Sequence, residues 1–187
     1  GTISYRMPHA EFSGAYGEMA KSVNELVASH LAVKMRIVEV VQAYAKGDFS
    51  VDMDRLPGEK AKITAAIDGV KGAFADLSKE VVGLVDSAVR GDFTARGDAA
   101  KYEYDFKRMV DGLNSLMAVS DKGLAEVSRV LAALAKGDLT QTITGDYQGT
   151  FGKLRDDCNT TVKQLKEIVG QIQGAAGSIS SASSQIA

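Results

Sequence analysis

The chain has 187 residues, 25% of them charged and 45% apolar, with two prolines, one cysteine and no tryptophan. A formal net charge of −2 leaves no basic footprint for nucleic acid or an acidic membrane surface. The scarcity of proline beside abundant Ala, Val, Leu, Lys and Glu favours an all-α chain. Cys158 alone excludes an internal disulfide and fits a reducing, cytoplasmic setting. No apolar run approaches the roughly 20 residues needed to span a bilayer, and no signal-peptide pattern opens the chain. Gly1 already stands inside a repeating pattern, so the sequence is expected to be a fragment of something longer.

In chain order, "GTISYRM" at residues 1–7 is followed by an apolar ladder, Met19, Val23, Leu26, His30, Val33, Ile37, Val40, Tyr44. Steps of four and three predict an amphipathic helix. The ladder runs into "KGDFSVDM", where Gly47 is the expected helix stop and Lys46 places a cation against the helix dipole. After Pro57-Gly58 a second ladder rises through Ile63, Ile67, Val70, Phe74, Leu77, Val81 and Leu84, ending at "RGDFTARG" with Gly91. The third, from Phe106 through Met109, Leu113 and Leu116 to Val127, Val130 and Leu134, is interrupted by Ser120 and Gly123 and ends at "KGDLTQTI" with Gly137. The fourth opens near Phe151 and continues through Cys158, Val162, Leu165, Val169, Ile172, Ala176, Ile179, Ser183 and Ile186.

The punctuation is periodic. Gly1, Gly47, Gly91 and Gly137 are spaced by 46, 44 and 46 residues. An apolar residue follows each glycine by two (Ile3, Phe49, Phe93, Leu139) and, in three copies, another by six (Met7, Met53, Ile143). Gly97 breaks that second rule. Asn24, Lys71, Asn114 and Asn159 stand at matching places in the following helices. A repeat of this length built of helices is either a solenoid of antiparallel pairs or a stack of parallel bundles. The connector chooses between them. An antiparallel pair needs few linking residues, whereas about a dozen extended residues reach roughly 40 Å, enough to climb back along a helix of several turns. Parallel helices follow, with the two spaced apolar residues pinning the connector. A two-helix unit with one apolar stripe per helix cannot bury itself, so a parallel homodimer making four-helix layers is its expected closure.

At these residues the sequence resembles the HAMP domains of bacterial chemoreceptors and sensor kinases. The Gly-x-Phe/Leu-x-x-x-apolar connector carries the resemblance in four registers. The whole is similar to a poly-HAMP segment of a methyl-accepting chemotaxis protein, with the arrays of soluble aerotaxis-type receptors as nearest likeness. The resemblance implies concatenated, parallel homodimeric four-helix coiled coils joined by continuous helices. They would be non-enzymatic, without cofactor or metal, and would relay a conformational signal from a sensory input to a signalling hairpin. It implies a partial unit at 1–33, units at 34–79, 80–122 and 123–170, and a helical lead to the output at 171–187. Connector anchors are expected at Gly1, Ile3, Met7, Gly47, Phe49, Met53, Gly91, Phe93, Gly137, Leu139 and Ile143. Bundle-core positions are expected at Val23, Ile37, Val40, Ile63, Ile67, Val70, Phe74, Leu84, Phe106, Leu113, Val130, Phe151 and Cys158. Through a full receptor the partners would be the adjoining domains, a chemotaxis kinase and a coupling protein. The Asp-Glu-apolar-Gly opening usual in the family is replaced by "GAYG", "AKIT", "YDFK" and "GTFG".

From the Asn-equivalent position to the next glycine there are 23, then 20, then 23 residues. Three residues are about 300° of helix rotation, leaving roughly −60° of phase, and such indels over- or underwind a coiled coil. Alternate units are therefore expected to favour different packings. His9 and His30 are not at metal-ligand spacing, and there is no nucleophile–base pair, carboxylate dyad or phosphate loop. A histidine-kinase relay and a helical scaffold that binds a protein in a solenoid groove stay open as alternatives.

Overall fold

The computed structural model describes residues 4–186. Among them are four long helices and no strand: α1 (Ala15–Tyr44), α2 (Ala61–Val89), α3 (Tyr104–Leu134) and α4 (Gly149–Ile186). Short 3-10 turns at His9–Glu11, Gly58–Lys60 and Ala99–Lys101 precede the first three. The chain divides into two compact units between Lys79 and Glu80, and α2 runs through the division. No helix among the described residues is long and apolar enough to cross a membrane.

The Gly-Asp pairs end three helices in one way. Gly47, Gly91 and Gly137 have φ of 83°, 80° and 76°, the left-handed region that a Cβ resists. That turn lets the Gly47 N–H donate to the Tyr44 carbonyl (2.9 Å) and the Asp48 N–H to the Ala43 carbonyl (3.0 Å). Gly91 and Asp92 bond in the same manner to Ala88 and Ser87, and Gly137 and Asp138 to Leu134 and Ala133. These are Schellman closures, which satisfy carbonyls that a helix end otherwise leaves open.

In the unit that ends at Lys79, the connector returns over α1 and α2 and buries Met53 against Val40 and Tyr44, with Phe49, Val51 and Leu56 packed around them. In the unit that begins at Glu80, Ile143 and Tyr147 are buried against Val130 and Val162, and Phe151 and Cys158 close the cluster. Full burial of one such side chain contributes about 1.5–3 kcal/mol, so burial of Met53 and of Ile143 helps hold the second and fourth connectors.

The interruption of the third ladder has a steric cause. A Cβ on Gly123 would lie 2.6 Å from Cδ1 of Phe151, so glycine there admits the Phe151 ring against α3. The buried stripe also winds around the helices. Ala20 and Val40 of α1 are buried, as are Val110 and Val130 of α3. Each pair is separated by about 160° on a helical wheel of 3.6 residues per turn. One helix therefore offers nearly opposite faces along its length.

At the start of α3 the chain carries a local cost. Tyr104 has φ 48° and is 86% exposed, while Gly14 and Gly149, in the equivalent register, have φ of 60° and 57°. A non-glycine residue in this region costs about 1–2 kcal/mol. Tyr104→Gly is therefore expected to raise stability by about 1 kcal/mol, read as a higher thermal midpoint by circular dichroism. A lower midpoint would contradict the assignment of strain.

Candidate functional site

Among the described residues, the recurring side-chain arrangements are those that tie the connectors down. The second, third and fourth begin with an Asx turn. Asp48 Oδ1 accepts from the Ser50 N–H (3.0 Å) and hydroxyl (2.6 Å). Asp92 does the same with Thr94 (3.0 and 2.6 Å), and Asp138 with Thr140 (2.9 and 2.5 Å). These hydroxyl and backbone hydrogen bonds hold all three carboxyls below the usual aspartate range. The aspartate after the glycine thus fixes the direction in which the connector leaves the helix.

The next tie is an amide clamp. The Ile143 N–H donates to Asn159 Oδ1 (2.8 Å), and Asn159 Nδ2 donates to the Ile143 carbonyl (2.9 Å). Asn114 grips the Gly97 peptide groups identically, at 2.7 and 2.8 Å. Asn24 grips those of Met7, both at 2.9 Å. An asparagine side chain can do this because it carries one acceptor and two donors in one plane. A strand-like connector has no neighbour to satisfy its backbone, so the clamp stands where a second strand would. The recurring Asn was visible in the sequence at one offset, but its geometry was not.

Side chains of the preceding helix hold the other edge. Arg36 Nη2 donates to the Asp52 carbonyl (2.9 Å), and Arg129 Nη2 donates to the Thr142 carbonyl (2.8 Å). In the third connector Glu80 Oε1 instead accepts from the Asp98 N–H (2.8 Å). Nothing in the sequence pattern singled out these residues, because charged side chains on exposed helix faces look alike until the connector lies on them.

The expected anchors distribute as follows. Met53 and Ile143 are buried; Met7, Phe49, Phe93 and Leu139 are half-buried; Gly1 and Ile3 lie outside the described residues. Phe49 bridges the two helices of its unit, with its ring 5.6 Å from Tyr44 and stacked 5.4 Å from Phe74. The Tyr44 hydroxyl donates to the Val51 carbonyl (2.9 Å). Gly97 replaces an anchor because Val110 fills the space: a Cβ on Gly97 would lie 2.8 Å from Val110 Cγ1. The final glycine of the family's helix-opening motif has a similar explanation, since a Cβ on Gly152 would meet the Tyr147 carbonyl oxygen at 2.6 Å, and one on Gly17 the Phe12 carbonyl oxygen at 2.5 Å.

Of the expected core positions, Val40, Leu84 and Val130 are buried, and Ile37, Ile63, Ile67, Phe106, Leu113, Phe151 and Cys158 are half-buried. Val23, Val70 and Phe74 are 40%, 45% and 40% exposed in the single chain. No group of three or more His, Cys, Asp or Glu among the described residues is placed to hold a metal ion.

Helices joined by clamped, Schellman-closed connectors define a class, and comparison with known proteins agrees with it. Residues 33–75 match the family described as HAMP N-terminal domain 3, and residues 101–167 match the HAMP domain. The chain is 30% identical to the methyl-accepting chemotaxis protein McpB of Pseudomonas aeruginosa, over 97% of its own length and 46% of that protein. It is 25% identical to the probable chemoreceptor y4sI of Sinorhizobium fredii, over 80% of its own length and 19% of that protein. The chain belongs to the HAMP domain family, as a segment of the methyl-accepting chemotaxis protein kind. It spans less than half the length of these relatives.

Truncating a clamp leaves a partly buried peptide unsatisfied, which costs about 1–3 kcal/mol. Asn159→Ala is therefore expected to lower the urea midpoint and to speed exchange at the Ile143 amide. An unchanged midpoint with unchanged exchange would show that the clamp carries no load.

Proposed function

We propose that this segment relays a conformational change along a chemoreceptor by repacking helices between alternate bundle arrangements, and that it does so as a parallel homodimer. The observation that carries this reading is that a single helix serves two neighbours. The N-terminal half of α3 lies against the Ala99–Lys101 turn and Gly97, while its C-terminal half lies against α4 and Ile143. Its two buried faces are nearly opposite, so rotating α3 changes both packings at once. In this reading the units are those at 34–79, 80–122 and 123–170, with a partial one at 1–33 and an output lead at 171–187.

A second copy supplies what one chain lacks. Val23, Val70, Phe74, Leu116, Val169 and Ile172 are exposed, far more apolar helix surface than a soluble monomer leaves open. A parallel partner would turn each pair of helices into a four-helix layer and bury these positions. Adjoining sensory and output domains, and through a full receptor its kinase and coupling protein, are the partners this role requires.

Two measurements test the proposal. Single cysteines replacing Leu165, Val169 and Ile172, in a Cys158→Ser background, are expected to form symmetric disulfide dimers, while Lys166→Cys and Gln173→Cys cross-link poorly. Uniform cross-linking, or a monomer by sedimentation, would remove the parallel bundle. In a full receptor, deleting three residues between Phe74 and Val81 is expected to change output strongly, because it rotates one packing by about 300° against the next. Output indistinguishable from the parent would remove the relay.

A further inference from the structure

The second connector lacks the asparagine clamp. Lys71 stands in the register of Asn24, Asn114 and Asn159, and lysine has three donors and no acceptor, so it cannot close on both groups of a peptide. Instead its Nζ lies 2.7 Å from Asp52 Oδ1. On the other edge, the Arg36 guanidinium that donates to the Asp52 carbonyl also pairs with Asp54 Oδ1 at 3.5 Å. Arg55 of the same connector pairs with Asp68 of α2. Neutral ties stand beside these pairs: the Tyr44 hydroxyl donates to the Val51 carbonyl at 2.9 Å, the Thr64 hydroxyl to the Asp54 carbonyl at 2.8 Å, and the Leu56 N–H to Thr64 Oγ1 at 3.4 Å. The difference lies in the clamp: Asn114 and Asn159 close on peptide groups of the third and fourth connectors, whereas Arg36 in the second and Arg129 in the fourth each donate to a peptide carbonyl.

The two kinds of tie respond differently to their surroundings. An amide-to-peptide clamp has no net charge to screen. Ion pairs on an exposed surface are worth little, and salt weakens them as the Debye length falls from ~10 Å at 0.1 M to ~3 Å at 1 M. Side-chain exposure confirms the setting: Lys71 and Asp52 are 27% and 68% exposed, and Arg55 and Asp68 are 72% and 34% exposed. The Lys71 hydrogen bond depresses the Asp52 pKa and the same contact raises that of Lys71, so both partners are charged.

We infer that the connector at residues 48–56 is a salt-labile latch, held by ion pairs where its counterparts are held by amide clamps, so that rising ionic strength loosens this unit ahead of the others. Met53 stays docked on average, because its burial is not electrostatic; salt raises the frequency with which the segment lifts. The consequence for signalling rests on the relay reading above: ionic strength would act on the array at its second unit. The latch itself does not need that reading.

Hydrogen–deuterium exchange on the 187-residue chain tests it. Raising NaCl from about 0.1 M to about 1 M is expected to speed exchange in residues 48–56 by about threefold or more relative to residues 94–99 and 140–145. Comparison within one chain removes effects common to all amides. Lys71→Asn is expected to reduce the excess response by restoring a clamp, the Arg36–Asp54 and Arg55–Asp68 pairs remaining. Lys71→Met is expected to exchange at 0.1 M about as fast as the parent does at 1 M. Should Lys71→Asn fail to fold by circular dichroism, the parent and Lys71→Met decide the matter. Equal salt responses in all three connectors, or none in the second, would overturn the latch and leave the relay standing. A three-residue deletion without effect on receptor output would overturn the relay and leave the exchange ratios as they are.

Discussion

Everything in this molecule depends on keeping an extended connector flat against two parallel helices. A helix satisfies its own backbone, but an extended segment running alongside it does not, and each buried peptide group left open would cost about 1–3 kcal/mol. The bidentate grip of Asn159 on the Ile143 peptide, repeated by Asn114 and Asn24, meets that cost with a single side chain in three of the four connectors. Once the connector is fixed, its apolar residue six places after the glycine is delivered between the helices. Ile143 is buried beneath its clamp against Val130 and Val162, and Met53 is buried against Val40 and Tyr44 in the connector held without one.

The Schellman closure and the Asx turn prepare this docking. Gly47, Gly91 and Gly137 reverse the chain without a steric penalty, and Asp48, Asp92 and Asp138 aim it. The same short motif therefore appears three times because three helices must stop, turn and send a strand back along themselves. Its repetition reflects that geometry. The copies then differ where packing allows. Gly97 gives its volume to Val110, and Lys71 exchanges a neutral clamp for an ion pair. These departures leave the copies held by different side chains.

Much of this was legible in the sequence, because its signals are local. Helix ladders of fours and threes, a glycine at each stop and an apolar residue at fixed offsets report directly on backbone geometry and on a one-sided core. They led to an all-α chain and to the HAMP family. The apparent weakness at Ser120 and Gly123 was less readable. It is a deliberate gap on α3, shaped by the Phe151 ring nearly thirty residues away in the chain, and a ladder read along one helix cannot show what arrives from another.

The sequence by itself determined where the helices stop, how far apart the repeats lie and which residues must be apolar, since caps and amphipathic periods act within a few residues. Only the tertiary structure decided what the in-register asparagines do, why Arg36, Glu80 and Arg129 differ from other exposed charges, and why Tyr104 is strained. The roles of the asparagines and of these charged residues arise from a connector lying against helix positions some 13 to 18 residues away in the chain. An asparagine on a helix face has the same local signature whether it points to water or closes on a peptide. The difference is made by what docks on it.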